Sequence, residues 1–113
     1  MHTRMASQEL QDSWRKTTEF LRDARAHLSE AAEGVCAEEI AEFEDYLSQN
    51  ELELALDSLE AAVFKSPGES MHVFELLVSA ADNMGLTNHA AGYRATVKKM
   101  QEGMEERWKK RDT

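Results

Sequence analysis

An all-α fold is predicted by three features of this sequence. Apolar residues recur at alternating spacings of four and three along most of the chain, the period of one helical face. Ala, Leu, Glu and Met are abundant while β-branched residues are sparse, a composition of good helix formers. The five glycines and the single proline stand at isolated points, so the turns are few and the elements long. A chain of 113 residues with 42 % hydrophobic content suits one domain with one core. The expectation is a single helical domain over residues 1–113, with about five helices in a bundle or in stacked helical hairpins. Residues 1–6 are expected as a loose arm ahead of it.

The first helix is expected from about Ser7 to Ala31, where Leu10, Trp14, Thr17, Leu21, Ala24 and Leu28 form one stripe before Gly34 breaks the pattern. The second runs from about Ala37 to Ser48 and turns Cys36, Ile40, Phe43 and Leu47 inward. A short polar turn follows. Asn50 then reads as the N-cap of a third helix, with Glu53 completing a capping box and Leu52, Ala55, Leu56, Leu59, Ala62 and Val63 as the inner face. So short a connection makes these two helices an antiparallel hairpin. In "KSPGE", Ser66 as N-cap, Pro67 at the first helical position and Glu69 at the third signal the start of a fourth helix. Its inner residues are Phe74, Leu77, Val78 and Ala81, and Gly85 is a left-handed C-cap. Thr87 caps a fifth helix as long as the first, carrying Ala90, Tyr93, Val97, Met100, Met104 and Trp108 on one stripe. Trp14 and Trp108 are expected in the core or at the seam of a homodimer, so the chain is a monomer or a homodimer. Met71, Met84, Met100 and Met104 are expected as core filler. An offset of 34 residues pairs Ile40 with Phe74, Phe43 with Leu77 and Leu59 with Tyr93, as two stacked hairpins would.

Net charge is −9, and its distribution is uneven. From Glu30 to Glu60 the chain carries Glu30, Glu33, Glu38, Glu39, Glu42, Glu44, Asp45, Glu51, Glu53, Asp57 and Glu60 without one cation, whereas residues 94–111 are mildly basic. Such a field repels phosphates, which disfavours direct nucleic-acid binding and favours a basic protein partner. No apolar run approaches a membrane span and none resembles the core of a signal peptide, so no membrane is expected. The single cysteine, Cys36, reads as a buried free thiol, which fits a reducing cytoplasm.

No constellation suggests catalysis, a metal or a cofactor. His2, His27, His72 and His89 have no His or Cys companion at metal-ligand spacing. The glycines form no phosphate cradle, and no base stands beside a nucleophile. The acidic stretch is the feature left to interpret. Asp45 on one helix and Glu53 and Asp57 on the next carry charge outward, and Leu54 falls among them as an apolar residue on an acidic face. Asp45, Glu53, Leu54 and Asp57 are therefore the candidate partner-binding residues, with acids steering a basic surface and Leu54 supplying desolvated contact.

Two families share patterns with this stretch. "YLSQNELELALDSLEAA", a helix, a polar turn, Asn-Glu-Leu and then Ala-Leu-Asp-x-Leu, resembles small helical immunity proteins of bacterial polymorphic-toxin systems, notably the MafI type. "AADNMGL" resembles a later helix end in the same proteins, and the likeness spans Glu38 to Leu86. It implies a cytoplasmic bacterial protein that binds and neutralises a cognate toxin domain without catalysis. If that toxin is a nuclease, its cleft is basic, and the acidic helices would cover it. Tyr46, Ala55, Leu59, Ala62 and Pro67 also sit at the spacing of a tetratricopeptide repeat, which implies an adaptor or scaffold instead. There Phe43 occupies the glycine position of the first helix, and the second copy places His89 where a small residue belongs.

Overall fold

The computed structural model of the chain describes residues 7–111. The arm expected over residues 1–6 lies outside them. Six α-helices and no strand occur among the described residues: α1 (Gln8–Ala26), α2 (Glu30–Val35), α3 (Ala37–Ser48), α4 (Leu52–Lys65), α5 (Met71–Asn83) and α6 (Thr87–Arg111). No described helix is long and apolar enough to cross a membrane.

The helix expected to run to Ala31 stops five residues early. His27 closes α1 as its C-cap, and Ser29 opens α2 as an N-cap whose hydroxyl accepts the Ala32 N–H. The Ser29 N–H, which a continuous helix would spend on the Arg25 carbonyl, instead donates to Glu69 Oε1 at 2.9 Å. A partner forty residues away in sequence thus breaks a helix that the local pattern would have continued. Gly34 lies inside α2.

The two turn signals read around α4 and α5 are also corrected. Asn50 is not the N-cap of α4. It has φ +57°, and it terminates α3 in a Schellman arrangement: its N–H donates to the Leu47 carbonyl and the Glu51 N–H to the Tyr46 carbonyl. The N-cap position of α4 is Glu51, which makes no side-chain cap. Ser66 closes α4 rather than opening α5. Pro67 and Gly68 turn the chain, Gly68 at φ +82°, and Ser70 caps α5 by accepting the Val73 N–H. Gly85 does take the left-handed position expected of it, φ +72°, and the Gly85 and Leu86 N–H groups close the end of α5 on Asp82 and Ala81. α6 begins at Thr87 itself.

The helices form a bundle with α5 near its middle. α1 and α6 both pack along α5, and α3 packs along α4. Asn83, at the end of α5, donates to the Ser13 carbonyl and to Thr17 Oγ1 near the start of α1, both at 2.8 Å, while His27 and His72 meet at the other end. α1 therefore runs antiparallel to α5 and parallel to α6. The two hairpins meet only slightly, through α4 and α5, because α1 takes most of the free face of α5. They do not stack as successive repeats.

Phe43, Leu21, Leu56, Leu59, Leu77 and Tyr93 are at most 2 % exposed and anchor the main core. Burial of each leucine contributes about 1.5–3 kcal/mol. Cys36, Ile40 and Ala62 form a smaller cluster where α3 meets α4. Thr17, on the α1 stripe, is buried and receives its hydrogen bond from Asn83. Leu10, Trp14, Met104 and Trp108 continue the stripes of α1 and α6 but lie outside the core: Trp14 is 37 % and Trp108 63 % exposed. The two tryptophans lie toward opposite ends of α5, Trp14 beside the residues that meet Asn83 and Trp108 beside Met71. Met84 and Met100 do pack on the core.

Candidate protein-binding face

The acidic run lies on α2, α3 and α4, and tertiary contacts divide it into paired and unpaired carboxylates. Arg25 on α1 holds Glu33 by two hydrogen bonds and lies 4.0 Å from Glu44. Lys65 donates to Glu39 Oε2 at 3.1 Å across the α3–α4 hairpin. The Glu39 backbone N–H and Lys65 both hold that carboxyl below its ordinary pKa. His89 Nε2 lies 2.9 Å from Asp57 Oδ1, and the Tyr93 hydroxyl donates to Glu60 at 2.7 Å. The cations missing from the run thus arrive from α1 and the end of α4, and α6 supplies an imidazole and a phenol as further hydrogen-bond partners.

Glu30, Glu38, Glu42, Asp45, Glu51 and Glu53 make no ion pair among the described residues. Glu38, Glu42 and Asp45 recur at i, i+4 and i+7, one row along α3. That row points away from Ile40, Phe43 and Leu47, which are buried. Glu39, which reaches Lys65 on α4, lies off to its side, and Cys36, the N-cap residue whose thiol reaches Ala62, lies with the buried stripe.

Of the residues expected to bind a partner, Asp45, Glu53 and Leu54 are exposed, Leu54 at 44 %. Asp57 is partly covered and bonded to His89. On α4, Ala62 and Lys65 mark the flank that meets α3, and Asp57 and Glu60 mark the flank that meets α6. At 100° per residue these flanks lie about 140° apart around the helix axis. Leu54 falls between them, on the outer surface. Glu53 leans toward the α6 flank with Asp57, while Asp45 stands outward on α3. The four do not form one compact patch. Phe64, 57 % exposed, lies further along α4 on the flank of Asp57 and Glu60, with its ring against Phe74, ring centroids 5.5 Å apart. The signal for it was in the sequence: Phe64 falls off the inner stripe of α4.

Comparison of the chain with known protein families, with curated proteins and with solved structures gives no match.

The polar clusters elsewhere have structural partners. Asp57 and His89 form a carboxylate–imidazole pair, and the Tyr93 ring, its centroid 6.3 Å from that of the imidazole, gives its hydroxyl to Glu60. Burial pushes the Tyr93 phenol well above the ordinary range, and the Glu60 hydrogen bond and the Glu60 and Asp57 charges push the same way. Tyr93 is thus held neutral as a donor. The Cys36 thiol is buried and donates to the Ala62 carbonyl at 3.2 Å. Burial, reinforced by the Glu39 charge, raises its pKa, which suppresses the nucleophilic thiolate. No three His, Cys, Asp or Glu side chains among the described residues converge to hold a metal ion.

Proposed function

We propose that the chain is a non-catalytic binding protein, an immunity protein that occludes a toxin domain carrying a basic surface. The observation that supports this reading most directly is the row Glu38, Glu42 and Asp45. These are exposed carboxylates on one face of α3 that make no ion pair among the described residues, beside a hairpin partner that carries the exposed Leu54 on its outer side. Like charges at i, i+4 cost an isolated helix a few tenths of a kcal/mol, so the row is mildly unfavourable to the fold itself. A basic cleft would relieve that repulsion. Charge supplies steering and encounter rate, and Leu54 supplies apolar contact. Asp57 has its own role in joining α4 to α6, so it contributes less to the partner surface than its place in the sequence implies; Glu53 belongs to the rim.

The test is co-expression with a candidate toxin domain from the same locus, followed by association kinetics at two salt concentrations. The variant Glu38→Lys/Glu42→Lys/Asp45→Lys should keep its unfolding midpoint and lose protection. Wild-type association should slow as salt rises, because exposed charges are screened over about 8 Å at physiological ionic strength. Full protection by the triple variant, with unchanged kinetics, would leave the row as a solvated face.

A further inference from the structure

Two histidines far apart in sequence meet at one end of the α1–α5 pair. His27 is the C-cap of α1 and His72 is the second residue of α5. Both are exposed, and their ring centroids lie 4.7 Å apart with the planes at 77°. Each ring turns its Nδ1 to an acceptor. His27 Nδ1 lies 2.7 Å from the Asp23 carbonyl. A carbonyl only accepts, so in the neutral ring Nδ1 carries the proton and Nε2 keeps the lone pair. His72 Nδ1 faces Glu75 Oε1 at 3.8 Å, and that carboxylate favours the same tautomer.

The antiparallel course of the helices sets where the other nitrogens point. Asp23 precedes His27 on α1 and Glu75 follows His72 on α5, so both acceptors lie toward the middle of the helix pair. Both Nδ1 atoms therefore face inward along the pair. Both Nε2 atoms, across each ring, face the same open end, and neither has a hydrogen-bond or ion-pair partner among the described residues. The separation of the rings fits a shared ligand. At a Zn–N distance of about 2.0–2.1 Å an imidazole centroid stands about 3.2 Å from the metal, so two rings on one ion lie about 4.5 Å apart at a ligand angle of 90° and about 5.2 Å apart at the tetrahedral angle. The observed 4.7 Å falls between these values. Metal-bound histidines also carry a carbonyl or carboxylate on the second ring nitrogen, which fixes the tautomer and raises ligand basicity. We propose that His27 and His72 bind one divalent transition-metal ion of the zinc type through their Nε2 atoms, with the Asp23 carbonyl and Glu75 as orienting groups. Two protein ligands leave the remaining positions of the ion to water or to a donor on another molecule. An imidazole pair prefers such an ion to magnesium or calcium, which take oxygen ligands. With half the ligands of a closed structural site, the dissociation constant is roughly 1–200 μM. The ligands come from two helices that meet only in the folded chain, so the ion stabilises the fold.

Titration of the untagged full chain with Zn²⁺ tests this, read by calorimetry and by the ¹⁵N shifts of the histidine rings. The Nε2 signals of His27 and His72 should move together while both Nδ1 atoms keep their protons. The thermal midpoint should rise with Zn²⁺ and stay fixed with Mg²⁺. His27→Asn and His72→Asn should each weaken binding at least about tenfold, and Glu75→Ala about tenfold, as loss of an orienting group does. All three side chains are exposed, so the metal-free variants should unfold with the wild-type midpoint. A chain that takes up no Zn²⁺ overturns the proposal. So does Zn²⁺ that shifts only one of the two rings, or binding that survives His27→Asn/His72→Asn.

Discussion

Asn50 shows how one backbone angle decides a side chain's role. Its place three residues before Glu53 fits a capping box, yet at φ +57° it is the left-handed residue that ends α3. Asparagine tolerates that conformation better than other residues with a Cβ, and glycine better still. The two roles make opposite predictions. Loss of an N-cap to glycine costs a few tenths of a kcal/mol, whereas relief of a left-handed angle stabilises. Asn50→Gly is expected to raise the urea midpoint slightly, and Asn50→Ala to lower stability by about 1–2 kcal/mol. Equilibrium unfolding of the two variants checks this, and a lower midpoint for the glycine variant would return Asn50 to the cap of α4.

Glu69 sets the ends of four helices. It is 5 % exposed and accepts the Ser29 N–H, the Ser29 hydroxyl and the Ser66 hydroxyl, the last at 2.9 Å. One carboxylate therefore ties the α1–α2 junction to the α4–α5 turn. Burial raises its pKa, but the hydrogen bonds from Ser29 and Ser66 outweigh burial and the net shift is downward. A carboxyl depressed in the folded state contributes stability that is complete above its unfolded pKa, about 4.3, and is lost as pH falls through its folded pKa. Glu69→Gln keeps the shape but cannot accept three charge-assisted bonds, so it should cost about 1–3 kcal/mol at neutral pH. The gap between wild type and variant should narrow below about pH 4.3. Denaturant unfolding at pH 7 and at pH 3.5 measures both effects, and a gap independent of pH would mean that the carboxylate charge contributes nothing.

At the scale of the whole molecule, a core of five cooperating helices carries one long helix that outruns it. Residues 101–110 add little to that core, because their side chains are open to solvent or nearly so. A chain ending at Met100 should unfold within a few degrees of the full chain's midpoint by circular dichroism, since exposed positions shift stability by only about 0.5 kcal/mol. A large fall would show that the end of α6 supports the bundle. Charge is distributed at the same scale: Arg25 and Lys65 pair with Glu33 and Glu39 and His89 bonds Asp57, while Glu38, Glu42 and Asp45 make no ion pair among the described residues.

The helical class, the hairpin of α3 and α4, and most of the inner stripes were legible in the sequence, because helix period and composition are local properties. Ala37–Ser48 is found where the pattern put it, and Leu56, Leu59 and Leu77 are fully buried. The ends of stripes were not legible. Trp14 and Trp108 hold the correct period, but a stripe is buried only where a neighbour runs beside it. Helix boundaries around Ser29, Asn50 and Ser66 depart from the local signals for a related reason: each of these residues can serve a cap or a turn, and at Ser29 a group forty residues away makes the choice. In the acidic stretch, composition by itself determined that carboxylates would crowd two helices. Only the tertiary structure decided that Asp57 would meet His89 while Glu38, Glu42 and Asp45 would make no ion pair among the described residues, because pairing depends on which helices lie alongside, and the order of residues along the chain does not carry that.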